Sequence, residues 1–140
     1  MMFQTNAVAY LATATVFFGV DFIWLATMTS RFYRSRMGEL LVDQPNFVAA
    51  GSFYLVYVAG VVYLAVLPAV SSGSFVTALV SGAVLGLVAY GTYDMTNLAT
   101  LKNWSLSLSV VDMAWGTFLT SLAATCGYFI TTWIAARSGG

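Results

Sequence analysis

Three of the five acidic side chains in this sequence, Asp21, Asp94 and Asp112, interrupt long apolar runs instead of lying in polar stretches. An ionisable group in a membrane helix costs about 3 kcal/mol on insertion scales, so it marks a site for protons, ions or polar ligands by default. The neighbours of these acids are distinctive. Asp21 and Asp112 share a pattern, Val20-Asp21-Phe22-Ile23-Trp24 and Val111-Asp112-Met113-Ala114-Trp115. The i to i+3 spacing puts Asp and Trp on one helix face. Asp94 sits in Tyr90-Gly91-Thr92-Tyr93-Asp94-Met95-Thr96-Asn97, the most polar stretch inside any of the runs. No Lys, Arg or His lies within the runs to neutralise the acids. Such a cluster should hold protons or bind a cation. The candidate ligand- or proton-binding residues are therefore Asp21, Asp94, Asp112, Trp24, Trp115, Tyr54, Tyr93 and Asn97.

The elements that carry these residues follow from composition. Hydrophobic residues make up 60% and charged residues 7%, with a mean hydropathy of +0.86. A soluble domain carries about 25% charged residues to cover its surface, so this surface must face lipid. A spanning helix needs about 20 apolar residues at a rise of about 1.5 Å each. Four runs meet that length, about 7–28, 47–67, 75–97 and 106–134. The expected fold is all-α, an integral membrane bundle of four transmembrane helices forming one domain over 1–140. Pro68 is expected to stop the second helix. The turn Ser71-Ser72-Gly73-Ser74 then makes helices two and three an antiparallel hairpin.

Orientation follows from the basic residues. The first connection carries Arg31, Arg34 and Arg36 and the third carries Lys102, while the opposite side has only Arg137. Positive charge stays inside, so both termini are expected on the outer face of a multi-pass protein of the cell inner membrane. The N-terminal residues lack the basic region of a signal peptide. Asp21 lies seven residues before Met28, about 10 Å from that end, and Asp112 eight residues after Trp104, about 12 Å in. Asp94 is shallower on the same side, and Tyr54 lies seven residues into its run. All belong to the cytoplasmic half.

Several features have two readings. The segment Arg31 to Leu41 mixes basic and apolar residues and could lie in the headgroup plane or form an ordinary loop. Phe32, Tyr33 and Trp104 are placed in an inner aromatic belt and Trp133 in an outer one. Small residues at four-residue intervals, Ala78, Gly82 and Gly86 in helix three and Gly116, Thr120 and Ala124 in helix four, favour close packing within the bundle over dimerisation. Cys126 is read as a packing residue. Asn103-Trp104-Ser105 fits a glycosylation acceptor, but its connection is read as cytoplasmic. Each acid alone could also be a structural acceptor that locks helix register.

The combination Phe53-Tyr54-x-x-Tyr57-x-x-Gly60, Tyr90-Gly91-Thr92-Tyr93-Asp94-x-Thr96-Asn97-Leu98-Ala99-Thr100-Leu101 and Asp112-x-x-Trp115-Gly116 resembles an uncharacterised bacterial family of four-helix integral membrane proteins, a domain of unknown function. Asp21-x-x-Trp24 and Phe32-Tyr33-Arg34 extend the likeness over nearly the whole chain. The resemblance implies a small polytopic membrane protein without an established activity, and brings no catalytic residues with it.

With no histidine, His-ligated haem or zinc and His proton shuttles are excluded. Zero net charge gives no pull toward nucleic acid. No cofactor and no metal centre is expected. Binding or conduction of a proton, cation or small polar ligand at the aspartates ranks first. A membrane-embedded lipid-modifying enzyme or accessory, with paired carboxyls as acid and base, is the second reading. A non-catalytic partner subunit is the third. Membrane lipid is the expected partner, and a complete transporter of this length would call for a homodimer.

Overall fold

The chain is described by a computed structural model covering residues 2–41 and 46–138. Among these residues every regular element is helical, and four helices are long and apolar enough to cross a membrane. Helix α1 spans Met2–Met28 and continues through a π-turn at Thr29–Tyr33, a short α segment at Arg34–Met37 and a 3-10 turn at Gly38–Leu40. Helix α2 spans Phe47–Ser72, α3 spans Phe75–Thr100 and α4 spans Leu106–Ser138. Helices suit this environment because each satisfies its own backbone hydrogen bonds where no water can.

The helix ends use ordinary polar devices. Asn46 accepts a hydrogen bond from the Ala49 N–H at 3.0 Å and caps α2. Ser105 does the same for α4, accepting from Leu108 N–H at 3.1 Å. Between α2 and α3, Gly73 takes a left-handed conformation at φ 68°, which lets the chain reverse within two residues. Asn103 adopts φ 63° in the connection between α3 and α4, a geometry that Asn tolerates better than most side chains.

Two expectations about helix length are corrected. Pro68 does not stop α2, which runs on to Ser72. A proline inside a helix lacks an N–H and crowds the carbonyl four residues back. Here a π-turn at Val62–Val66 precedes it, with the Leu67 N–H bonded five residues back to the Val62 carbonyl. The wider turn gives the proline ring room. Likewise, the first connection is helical as far as Leu40, so Arg31, Arg34 and Arg36 sit on a prolongation of α1. Residues 42–45 of that connection lie outside the described residues.

Neighbouring helices run antiparallel. Thr13 lies against Gly127, and Trp24 against Trp115, so α1 and α4 pass each other in opposite senses. Gly82 lies against Ser121, and Gly86 against Gly116, which fixes α3 and α4 in the same way. The small-residue stripes expected from the sequence meet here. A Cβ at Gly86 would overlap the Gly116 carbonyl, and one at Gly82 would stand 2.9 Å from the Ser121 Cα. Lipid tails are as apolar as leucine, so helices associate through such close backbone packing instead of through expulsion of water.

The packing is uneven along the bundle. In the half nearer the termini, the outer half in the expected orientation, Ala9, Phe17, Val58, Val61, Val66, Ala69, Ala123 and Ala124 are buried in one continuous core. In the other half, the inner one in the expected orientation, α2 is more loosely packed: Tyr54 and Tyr57 touch Phe17 of α1, but from Asn46 to Tyr57 none of its residues is buried, and Val58 is the first that is.

Candidate functional site

The separation of α2 from its neighbours leaves a cavity of about 550 Å³ in the inner half of the bundle. All four helices contribute to its wall: Asp21 and Trp24 from α1, Tyr54 from α2, Tyr93 and Asp94 from α3, and Asp112 and Trp115 from α4. Seven of the eight residues singled out by sequence therefore meet at one cavity. Asn97 does not line it; its carbonyl accepts the Leu101 N–H at the end of α3, at 2.9 Å. No described residue of the wall is basic.

The two Asp-x-x-Trp patterns cross over. Each pattern puts its Asp and Trp on one face of its own helix, and because α1 and α4 are antiparallel the Asp of one stands level with the Trp of the other. Trp115 Nε1 donates to Asp21 Oδ1 at 3.1 Å. Trp24 Nε1 donates to the Tyr33 hydroxyl at 3.0 Å, and that hydroxyl donates to Asp112 Oδ1 at 2.8 Å. Between these two bonds the indole rings of Trp24 and Trp115 stack, with centroids 4.1 Å apart and planes 8° from parallel. The repeat thus builds one reciprocal clasp across the α1–α4 interface.

Tyr33 is a site residue that sequence reasoning assigned to an aromatic belt. It is partly buried and bridges Trp24 to Asp112. The signal for it was present in the spacing: Asp21, Leu25, Thr29, Tyr33, Met37 and Leu41 all line the cavity at intervals of four. On an α-helix of about 3.6 residues per turn that series would drift round the axis. The π-turn at Thr29–Tyr33 accommodates an extra residue and so reduces the drift. Trp104 is likewise corrected from belt to wall. It is 9% exposed, donates to Ser109 Oγ at 2.9 Å, and packs edge-on to Tyr93 at 5.8 Å. Trp133 is exposed, with the Arg137 guanidinium 4.4 Å above its ring.

The cavity is limited toward the outer half by aromatic rings. Tyr57 pairs with Thr120 through their hydroxyls at 2.8 Å, and the Tyr57 and Tyr90 rings meet edge to face at 6.3 Å. The Tyr90 ring lies directly on Gly116, where a Cβ would overlap the ring. Only glycine fits there, which explains why the Asp-x-x-Trp pattern of α4 continues into Gly116. Phe17 packs on Tyr57 at 5.5 Å and continues the wall into the outer core.

The three acids differ in how they are satisfied. Asp21 is held by Trp115 and Asp112 by Tyr33. Asp94 is 1% exposed, yet neither of its carboxyl oxygens receives a hydrogen bond among the described residues. Asp112 lines the same cavity. A buried carboxylate without a donor is costly. The three acids do not converge as a set of metal ligands among the described residues.

The model of a family described as "Predicted membrane protein (DUF2177)" matches residues 6–129. The chain belongs to this family. The match runs from the first turns of α1 to the last third of α4, so the whole cavity wall falls within the DUF2177 region. No curated protein and no solved structure matches the chain significantly. Family membership establishes a membrane protein and leaves its activity to be read from the cavity.

Proposed function

We propose that this DUF2177 protein binds a small cationic ligand in the inner-half cavity, with the Asp94–Asp112 pair as its recognition element. The observation that carries this reading is Asp94, a buried acid in the cavity wall whose carboxyl oxygens receive no hydrogen bond among the described residues. Four wall donors are committed elsewhere, Trp24 to Tyr33, Trp104 to Ser109, Trp115 to Asp21 and Tyr33 to Asp112, and the Tyr54, Tyr90 and Tyr93 hydroxyls in the wall make no hydrogen bond to Asp94 among the described residues. What the site offers a ligand is carboxyl oxygen, aromatic face and tyrosine hydroxyls, with no basic group among the described wall residues, which suits a positive charge.

Size favours a molecular cation. A volume of 550 Å³ falls in the range of about 300–1,000 Å³ typical of small-molecule pockets. Binding is favoured over conduction because the outer half closes the bundle with fully buried side chains, including Phe17, Val61 and Ala124. In the proposed topology both termini face outward across the inner membrane, and the cavity lies on the cytoplasmic side with Arg31, Arg34 and Arg36 exposed beside it.

The test is a titration of the purified protein in nanodiscs with methylammonium, read by the fluorescence of the cavity tryptophans. Saturable quenching or enhancement that Asp94→Asn abolishes supports the reading. Equal responses from wild type and Asp94→Asn, or no saturable response from wild type, would overturn it.

A further inference from the structure

The same cavity also shows how a ligand reaches it, and the inference rests on the cation-binding reading above. Leu25 on α1, Phe53 on α2 and Tyr93 on α3 all line the cavity, yet they are 42%, 64% and 54% exposed. A residue that lines a cavity and is also widely exposed stands at its mouth. Phe53 stands on the inner half of α2 itself, with Leu25 on α1 and Tyr93 on α3. They also lie well within the spanning helices. Leu25 is one turn from Asp21, Tyr93 is next to Asp94, and Phe53 is six residues into α2, about 9 Å along its axis. The mouth therefore opens sideways into hydrocarbon.

Its chemistry matches that setting. Leu25, Ala50, Phe53 and Ala89 give the opening an apolar edge, while Asp94 and Asp112 lie at the polar end of the wall. A hydrated ion crossing such an edge would have to shed its water before meeting any charge. An anionic headgroup would find carboxyls and no basic lining residue. An alkyl chain, in contrast, can rest against the exposed faces of Phe53 and Val56 on the inner half of α2.

We infer that the occupant is an amphiphile of the bilayer with a primary ammonium head and an apolar chain, which enters past the inner half of α2. The ammonium supplies three donors, enough for the two unpartnered Asp94 oxygens and the neighbouring Asp112 carboxyl. The Trp24–Trp115 stack and the Tyr93 ring give it aromatic surface. The chain extends through the gap beside Phe53 toward lipid.

The experiment uses the full chain in phosphatidylcholine nanodiscs, with tryptophan fluorescence as the readout and dodecylamine, dodecanoate and methylammonium as probes. Dodecylamine is expected to bind saturably and dodecanoate not at all. Ala50→Phe, which enlarges an exposed side chain at the opening and leaves the acids in place, should weaken dodecylamine about tenfold and leave methylammonium within about twofold of wild type. Asp94→Asn should abolish binding of both amines, with the near-ultraviolet circular dichroism of the stacked indoles confirming that the clasp is intact. If Ala50→Phe affects both amines equally, or neither, the lateral route is overturned while cation binding stands. If dodecanoate binds as well as dodecylamine, recognition of the ammonium head is overturned. If neither amine binds to wild type, the underlying cation-binding reading falls as well.

Discussion

The outer and inner halves of this bundle are built from the same four helices and pack in opposite ways. In the outer half α2 is drawn in: Val58, Val61, Val66 and Ala69 are fully buried against α1 and α4 residues such as Ala9, Phe17 and Ala123. In the inner half the same helix exposes Val48, Phe53 and Val56, and the space it leaves is walled by rings and acids. The change falls at Tyr57 and Val58, one turn before the π-turn at Val62–Val66. Small residues close a bundle, and large aromatics with unmatched acids hold it open. One half is scaffold and the other holds the proposed site.

The comparison can be broken most severely where scaffold and site meet. Gly86→Leu would drive a side chain into the Gly116 backbone. It is expected to destabilise the protein by about 3 kcal/mol or more, seen as loss of folded material in detergent. A conservative cavity comes next. Val61→Ala in the outer core should cost about 2 kcal/mol by thermal unfolding. Val56→Ala on the exposed face of inner α2 should stay within about 0.5 kcal/mol of wild type. Similar values for the two valines would mean that α2 is packed along its whole length.

The clasp gives smaller, more pointed effects. Trp115→Phe leaves Asp21 without its donor and should cost about 1–3 kcal/mol, measured by the same unfolding. Tyr33→Phe removes the bridge from Trp24 to Asp112 and should cost about 1 kcal/mol. A double variant of the two should fall short of the sum of the singles, because the stacked indoles couple the two bonds. Strict additivity would mean that the two bonds act independently.

Much of this architecture was legible in the sequence, for identifiable reasons. Four apolar runs of spanning length report the four helices directly, because lipid imposes one requirement on all of them. Counting residues from helix ends was enough to bring Asp21, Asp94, Asp112, Tyr54 and Tyr93 to one cavity. The pairing of Asp21 with Trp115 was not legible, since spacing along one helix says nothing about which antiparallel neighbour it meets. Tyr33 and Trp104 were missed because polar, Arg- or Lys-bearing segments were read as connections with their aromatics in belts. The continuation of α1 to Leu40 and the inward fold of Trp104 are decided by tertiary contact. Asn97 was chosen for polarity alone, and one turn of α3 carries it away from the wall. Pro68 misled because a π-turn elsewhere in the helix removes the usual conflict.

The central claim is that Asp94 is kept for a ligand and weakens the fold it sits in. The most direct test is thermal unfolding of wild type and Asp94→Asn in nanodiscs, each with and without dodecylamine. Removing a buried acid that has no donor should raise the midpoint without ligand, by an amount equivalent to about 1–3 kcal/mol. The amine should then stabilise wild type and leave Asp94→Asn unchanged. A lower midpoint for Asp94→Asn, with the amine stabilising both proteins alike, would contradict the claim and make Asp94 a structural residue of the bundle.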